Sequence, residues 1–449
     1  MIGVSLSRWT MAYFAAALVA LLAAEVMMSA GYGFPAAAIK APETLILVHL
    51  VAIGWLSLLM CGALLQFLPV LVAQPLYSNA LALPALLALV AGLGALILGF
   101  LQLDGRVDPR IPVFPIAAVL LIAGFALILW NLVRTLAAAA TTPLPARFVV
   151  VGLVSIIFAV ALGAIFALVL GGTVDYEPFV ALTAAGLPLH VIAGLGGWLS
   201  FTAMGVSYRL LAMFMLAPEL ERATTKGALV LGATALGVAV AGGILMILLQ
   251  GDPSIALLAA LGIGVLALLL YGSDILHLYR ARKRRQIELN SRMAAMALAS
   301  LAATVVLSVI LLALGRLTDH VGAVVFLAAF GWLSGLGLAK LYKIVAFLTW
   351  LECYGPVLGK APTPRVQDLV TETRAGKWFL LYFGAVWAGA VALLASYPLG
   401  FRLAATIMLV ATLAILAQLV RTRRLADVKA AMRFPQGAQR PRLLLSSQP

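Results

Sequence analysis

Twelve apolar stretches, each long enough to cross a lipid bilayer, determine what this chain can fold into. A helix needs about 20 apolar residues to cross the hydrocarbon core of a bilayer. Because lipid offers the main chain no hydrogen-bond partners, stretches of this length are predicted to be α-helices. The sequence therefore predicts an all-α polytopic membrane protein. The predicted spans are residues 10–30, 43–72, 79–103, 111–139, 147–171, 180–216, 227–250, 254–279, 293–315, 318–353, 378–397 and 402–421.

The composition excludes the other common classes of protein. Hydrophobic residues make up 64% of the chain and charged residues only 10%, whereas a soluble domain is about half apolar and about a quarter charged. A water-soluble enzyme, a disordered chain and a coiled coil are therefore excluded. The 2 cysteines, Cys61 and Cys353, cannot form a disulfide framework and are predicted to be packing residues.

Basic residues in the short connections predict the orientation of the spans, because cytoplasmic connections carry an excess of lysine and arginine. If the N-terminus and every even-numbered connection share one side, that side holds all but five of the 30 basic residues. Both termini are therefore predicted to be cytoplasmic, in a bacterial-type inner (plasma) membrane. One transmembrane domain is predicted over 1–422 and a basic cytoplasmic tail over 423–449. The five exceptions are Lys40, Arg106, Arg110, Arg316 and Arg402.

The net charge of +14 comes from the same basic residues in the connections and at the ends of the chain. The basic run Arg280–Arg285 and the tail lie next to membrane spans, where such residues maintain topology and contact anionic lipid headgroups. The lipid bilayer is thus the predicted partner of these charges, and nucleic acid is not.

The tetrapeptide Gly-Trp-Leu-Ser occurs three times, at 54–57, 197–200 and 331–334, in the second, sixth and tenth predicted spans. Its regular spacing of four spans predicts three pseudo-symmetric four-helix repeats, at about 1–140, 141–280 and 281–422. Small residues follow each glycine by eight positions and would allow close helix contact. The alternative is a chance recurrence of ordinary membrane-helix residues. These small residues are Gly62, Gly205 and Ala339.

Three of the 4 histidines, His49, His190 and His320, lie at the start of the same three spans. An imidazole in lipid is costly without a partner, so each is a candidate functional residue. Neutral histidine is also an axial ligand of haem iron, and two histidines at matched depth could hold one haem between helices. The alternative for each is a packed histidine bonded to a neighbouring helix. For His320, which follows Asp319 and lies near Arg316, the alternative is an interfacial position.

This arrangement resembles subunit I of the haem–copper oxidase superfamily, with twelve helices in three groups of four and histidines entering the second, sixth and tenth. The segment His49–Pro69 resembles the second helix of that family and is most similar to the nitric oxide reductase large subunit and NnrS-like branch. Leu189–Phe214 resembles the sixth helix. The resemblance implies that His49 ligates a low-spin haem with His320 as its partner. It also implies that His190 occupies the place of a ligand to the second metal.

The chain departs from that family at the second metal. Residues 227–250 contain no histidine where an adjacent pair is expected, and Gly194 stands where the family has a tyrosine. The tenth span offers one histidine instead of two. Copper therefore lacks a full ligand set, and oxygen reduction by the usual mechanism is not expected. No Cys-x-x-Cys-His sequence is present, so the expected cofactor is non-covalent haem b.

Two further residues are candidates for supporting roles in a haem site. Glu25 could orient a ligating imidazole through its other nitrogen, or it could be a protonated and hydrogen-bonded acid. Arg402 could contact haem propionates, as a basic pair does in the resembled family, or it could be an interfacial arginine that extends toward the headgroups.

The sequence thus predicts a membrane haem b redox protein without a complete second metal site. Electron transfer, quinol chemistry and respiration related to nitric oxide are the expected settings, with quinol or other redox subunits as partners. An oxidoreductase activity is compatible with this prediction. Two alternatives stay open. One is a secondary transporter, although transporters are usually built from two halves. The other is a non-catalytic scaffold subunit of a respiratory complex.

Overall fold

The computed structural model describes residues 8–108 and 110–445, and these are helical, with no β-strand among them. Within these residues, twelve helices are long and apolar enough to cross a membrane, which confirms the predicted all-α polytopic fold. We number them as spans 1 to 12. Their bounds are Thr10–Ala30, Pro42–Leu71, Ala82–Leu103, Val113–Ala137, Leu144–Leu170, Leu187–Met215, Ala223–Leu248, Ser254–Arg280, Leu289–Ala313, Leu317–Val357, Glu372–Leu394 and Pro398–Arg423.

Most predicted boundaries lie within a few residues of the observed ones, and the sixth span is the main correction. Its predicted start at residue 180 falls in a separate short helix, Glu177–Ala185, and span 6 begins at Leu187. Two local features break the helix between them. A side chain at Gly186 would lie 2.5 Å from the carbonyl oxygen of Leu182. Pro188, in the first turn of span 6, lacks the N–H that a continuous helix requires.

Span 11 begins at Glu372, six residues before its predicted start. Its first turn contains Glu372 and Arg374, which a search for apolar stretches does not include. The Glu372 carboxylate lies at the positive end of the helix dipole and accepts a hydrogen bond from the main-chain N–H of Leu289, at 3.1 Å. Polar first turns of this kind explain why apolar stretches underestimate helix length.

Close contacts divide the chain into two compact units, which we describe separately. Unit 1 comprises Met1–Ala63 and Ile287–Pro449, and unit 2 comprises Leu64–Gln286. The division into three four-helix repeats and the cytoplasmic location of both termini remain predictions from the sequence.

Glycines allow helices within each unit to approach closely. In unit 1, a side-chain carbon on Gly62 would lie 2.7 Å from Cβ of Tyr13 in span 1. In unit 2, the same carbon on Gly205 would lie 2.6 Å from both Cβ of Phe148 and the carbonyl oxygen of Pro145 in span 5. Two of the three small residues that follow the tetrapeptide therefore lie where two helices touch.

The chain after span 12 packs against the end of span 10 in unit 1. Leu425 and Val428 are buried in an apolar cluster with Tyr354. The Tyr354 hydroxyl donates to the carbonyl oxygen of Arg433, at 3.0 Å, and the N–H of Gln439 donates to that of Cys353, at 3.2 Å. The segment predicted as a basic tail is thus ordered along most of its length.

Asp427 connects this segment to spans 11 and 12. Its carboxylate accepts hydrogen bonds from Arg421, at 2.6 Å, and from Arg374, at 3.1 Å. Burial acts to raise the pKa of this carboxyl, but the two guanidinium groups outweigh burial and hold the pKa below its ordinary value. The ionised carboxylate therefore stabilises the folded C-terminal segment.

Replacing Gly62 by alanine is expected to destabilise unit 1, because the new methyl group would meet Cβ of Tyr13, which cannot move without the main chain. Overpacking of this kind costs about 1–3 kcal/mol, measured as a lower thermal midpoint in detergent. The matched control is Gly384→Ala, in span 11, where nothing lies within 4 Å of the new carbon. Equal effects of the two substitutions would contradict the assigned contact.

Replacing Asp427 by asparagine is expected to loosen residues 425–433 at neutral pH and to have no effect in acid. The folded-state pKa lies below the unfolded value of about 4, so the carboxylate stabilises the segment above that value. This stabilisation is lost as the pH falls through the folded-state pKa. Amide exchange protection factors of the segment measure it, with Asp319→Asn as an exposed control. A difference that persists in acid would exclude Asp427 as the cause.

Candidate functional site

Each of the three Gly-Trp-Leu-Ser copies lies inside a π-helical segment. These segments are Leu50–Ser57 in span 2, Ile192–Phe201 in span 6 and Leu327–Ser334 in span 10. A π-helix bonds each N–H to the carbonyl five residues earlier; it is rare and occurs mostly as single turns, frequently at functional sites. The repeated tetrapeptide therefore marks a repeated local structure. A fourth π-helical segment, Val238–Gly242, lies in span 7.

The serine of the tetrapeptide contributes to the wide turn directly. The Ser57 hydroxyl donates to the carbonyl oxygen of Ala52, and the Ser334 hydroxyl donates to that of Ala329, both at 2.7 Å. In each case the acceptor lies five residues before the serine, as the π-helical ladder requires. The hydroxyl thus provides an additional donor where the ordinary helical pattern is interrupted.

The tryptophans of the three copies, Trp55, Trp198 and Trp332, are at most 1% exposed. In unit 1, the indole N–H of Trp55 donates to the hydroxyl oxygen of Ser334, at 2.8 Å. This bond connects the first copy of the tetrapeptide to the third across 279 residues of sequence. The indole of Trp55, in span 2, is thus held against span 10.

The glycine of the tetrapeptide lies against a serine of the preceding span in both units. A side-chain carbon on Gly197 would lie 2.4 Å from Cβ of Ser155, in span 5, and one on Gly331 would lie 2.8 Å from Cβ of Ser300, in span 9. Both serines donate to the carbonyl four residues earlier in their own helices. The second and third copies therefore share their packing as well as their sequence.

His49 and His190 lie at the entrance to two of the π-helical segments and are half-buried. Nδ1 of His49 lies 2.7 Å from the carbonyl oxygen of Leu45, one turn earlier, and Nδ1 of His190 lies 2.9 Å from that of Ala159, in span 5. A carbonyl oxygen only accepts, so Nδ1 carries a hydrogen in both rings, which in a neutral imidazole leaves the lone pair on Nε2. The two histidines thus share one tautomer.

His320 differs from these two histidines. It is half-buried in the first turn of span 10, seven residues before the π-helical segment begins. Arg316 and Asp319, both exposed, form an ion pair beside it at 3.7 Å. Its ring makes no hydrogen bond with the described part of the chain. These features favour the interfacial alternative for His320 over a role as an iron ligand.

Glu25 and Arg402 make their contacts within unit 1. The Thr412 hydroxyl donates to Oε1 of Glu25, at 2.8 Å, and the side chain of Glu25 is fully buried. The Arg402 side chain is exposed, and its Nε donates to the carbonyl oxygen of Ser29 in the last turn of span 1, at 3.2 Å. Within residues 8–108 and 110–445, neither residue hydrogen-bonds a histidine. Glu25 therefore fits the alternative of a hydrogen-bonded acid better than that of a partner for imidazole.

Sequence reasoning missed a buried carboxylate in unit 2. Asp274, in span 8, accepts hydrogen bonds from Tyr208, at 3.1 Å, Arg222, at 3.2 Å, Thr225, at 2.7 Å, and Thr224, at 2.5 Å. Three of these donors lie at the start of span 7, where the helix dipole also favours an anion. A carboxylate inside an apolar stretch is a signal that could have identified Asp274. Its donors could not be identified, because they lie about 50 to 66 residues away.

Groups of three or more His, Cys, Asp or Glu side chains able to hold a metal ion are absent from the described residues. The described residues therefore bring together no set of three ligands of the kind that the second metal of the resembled family requires. A single imidazole with a fixed tautomer does fit axial ligation of haem iron. No protein-family model matches the sequence, and no curated protein sequence matches it. The resemblance to haem–copper oxidases thus depends on the residues described above.

Replacing Ser334 by alanine is expected to destabilise unit 1, because the indole N–H of buried Trp55 would lose its acceptor. An unsatisfied buried donor costs about 1–3 kcal/mol. A double-mutant cycle with Trp55→Phe measures the pairwise part by thermal unfolding in detergent. Ser308→Ala, which removes only a bond to the carbonyl of Thr304, is the control. Strictly additive effects of the two substitutions would show that the bond does not form.

Proposed function

We propose that this chain is a membrane haem b protein that takes part in electron transfer. The observation that carries the proposal is that His49 and His190 use the same ring nitrogen for the same kind of hydrogen bond. Each donates Nδ1–H to a main-chain carbonyl at the entrance to a π-helical segment that contains Gly-Trp-Leu-Ser. The bond from His190 to span 5 is also what the alternative of a packed histidine predicts. What supports ligation is that the same bond from Nδ1 to a carbonyl recurs at two copies of the tetrapeptide.

The residues present fit an axial ligand of haem iron. Ligating histidines almost always donate their second ring nitrogen to a carbonyl or carboxylate, which fixes the ring and strengthens it as a ligand. His49 and His190 already have this second contact, so Nε2 would be the ligating atom in both. Haem, when bound, supplies one-electron chemistry to such a site.

The chain's own residues orient and shield the imidazoles. The bond from His49 to Leu45 lies within span 2, so the ring moves with its helix. His190 is held against span 5, where Gly163 leaves room for its ring and Phe166 lies 5.5 Å from it. We propose that Arg402, near the start of span 12, contributes positive charge for the haem propionates. Its exposed guanidinium is compatible with that role.

No copper site is included in the proposal, because the described residues do not bring together the ligands that a second metal needs. The chemistry proposed is therefore electron transfer to or from a quinol, another redox subunit or a reaction related to nitric oxide. An activity that reduces oxygen by the mechanism of the resembled family is not proposed.

We place the protein in a bacterial-type inner membrane, with both termini cytoplasmic and with three pseudo-symmetric repeats. The excess of basic residues on one side supports the orientation. The three π-helical segments, and the contacts that Gly197 and Gly331 share, support the repeats.

An absorption spectrum of the protein, purified in detergent from cells supplied with haem precursor, tests the proposal. We expect a Soret band that shifts on reduction with dithionite. His49→Gly and His190→Gly are each expected to weaken the band, and added imidazole is expected to restore it, which separates ligation from folding. His277→Gly, at the end of span 8, is the matched control. A colourless parent protein, or a Soret band unchanged in both variants, would contradict the proposal and leave the transporter and scaffold alternatives.

A further inference from the structure

Glu25 is the only acidic or basic residue in span 1, and its side chain is fully buried in unit 1. Its one hydrogen-bond donor, the hydroxyl of Thr412, lies near the middle of span 12. The carboxyl group therefore lies well inside the apolar part of the bundle, away from the ends of the helices. Such a position calls for an explanation, because acidic side chains within membrane spans are rare and mostly functional.

The hydrogen bonding of Glu25 does not suit an ionised carboxylate. Two carboxylate oxygens offer about four acceptor positions, and Thr412 fills one of those on Oε1. Within the part of the chain that the structure describes, no donor lies within hydrogen-bond distance of Oε2. A buried anion requires a paired charge or several donors, and no basic side chain forms an ion pair with Glu25 among those residues.

Span 12 and the π-helical segment of span 2, which pack against span 1, bring no basic side chain into an ion pair with Glu25. Span 10 of the same unit carries the buried Lys340, which also forms no ion pair with Glu25 among the described residues. The adjacent π-helical segment of span 2, Leu50–Ser57, contains no titratable residue. The basic residues of span 12 lie at its ends, at least nine residues from Thr412, which is about 13 Å along the helix. Those basic residues are Arg402, Arg421 and Arg423.

The other titratable groups on the helices around Glu25 form no ion pair with it among the described residues. One of them, the phenol of Tyr382 in span 11, interacts electrostatically with Glu25. Its hydroxyl donates to the carbonyl oxygen of Phe330, at 3.0 Å. On spans 1 and 2 the other titratable side chains are Tyr13, Glu43, His49 and Cys61, and none of them forms a hydrogen bond or an ion pair with Glu25. The surroundings therefore favour a neutral group at Glu25.

We propose that Glu25 is a proton-binding site, a neutral carboxylic acid whose proton is held on Oε2. Oε1 accepts the hydrogen bond from Thr412, so the proton belongs on the other oxygen. When the site releases the proton, the O–H bond of Oε2 breaks and its electron pair stays on that oxygen. The proton passes to water. The carboxylate left behind retains a single donor, so release is favoured only when positive charge enters its surroundings.

This inference does not depend on haem. A proton held inside the bundle is useful to a protein that transfers electrons, because a nearby change of charge would alter how tightly the proton binds. It would be equally useful to a transporter. The experiment below therefore gives the same answer whether or not the absorption spectrum shows haem.

Infrared difference spectroscopy on the full chain in detergent, at neutral pH, tests the proposal. We expect a carbonyl stretch of a protonated carboxylic acid that shifts to lower frequency in D2O and is absent from Glu25→Gln. Glutamine keeps the carbonyl that accepts from Thr412. The matched control is Glu177→Gln, an exposed residue outside the spans, which is expected to lose only carboxylate absorption.

Thr412→Val provides a second, independent test in a protein that retains Glu25. Loss of the hydrogen bond to Oε1 is expected to shift the carbonyl stretch to higher frequency without removing it. The proposal would be overturned if Glu25→Gln removed carboxylate absorption in the way Glu177→Gln does. If Glu25→Gln does not fold, an acid band that is absent or unmoved in Thr412→Val would overturn it as well.

Discussion

In lipid, every main-chain donor and acceptor must find a partner inside the protein, and the π-helical segments of spans 2 and 10 meet part of this requirement with their own serines. A helix that changes from its usual hydrogen-bond pattern to a π-helical one alters the pairing of several carbonyls. In spans 2 and 10 the serine of Gly-Trp-Leu-Ser lies where its hydroxyl reaches the carbonyl five residues earlier. The turn can therefore exist in an apolar environment without a water molecule.

The same serine connects local structure to packing. Besides donating within its own turn, the hydroxyl of Ser334 accepts from the indole of Trp55. One side chain thus satisfies a main-chain carbonyl and the polar group of a fully buried tryptophan. The histidine before the first π-helical segment is fixed by the α-helical turn that precedes it, through its bond to the carbonyl oxygen of Leu45. Local hydrogen bonding, helix contact and the candidate ligand therefore depend on one another.

The sequence predicted the features that depend on composition and on residues close together in the chain. Helices long enough to cross a membrane follow from apolar length, and the repeated tetrapeptide identified the segments that turn out to be π-helical. Gly186 shows where this reasoning fails, because its closeness to the carbonyl of Leu182 depends on a backbone conformation and not on hydropathy. The contact between Glu25 and Thr412 could not be predicted from the sequence for a different reason. It joins residues 387 positions apart, and no local pattern encodes such a pair.

Three buried carboxyl groups of this protein illustrate how surroundings decide what an acidic side chain can do. Asp274 has four donors, a set that satisfies its carboxylate oxygens and holds spans 6, 7 and 8 together. Glu352 pairs with Arg423 at 2.8 Å, so its charge is balanced. Removing a hydrogen-bond donor from Asp274, or the guanidinium group of Arg423 from Glu352, would leave a buried carboxyl group without its partner. Both carboxyl groups are therefore structural.

Glu25 has neither a balancing charge nor several donors, although it is as deeply buried as Asp274. A residue of this kind adds little to stability, because a neutral acid with one hydrogen bond contributes no more than an ordinary polar side chain. An apolar residue of similar shape would pack there at least as well. The presence of a carboxyl group at this position is therefore explained by its proton, which is the one property that an apolar replacement lacks.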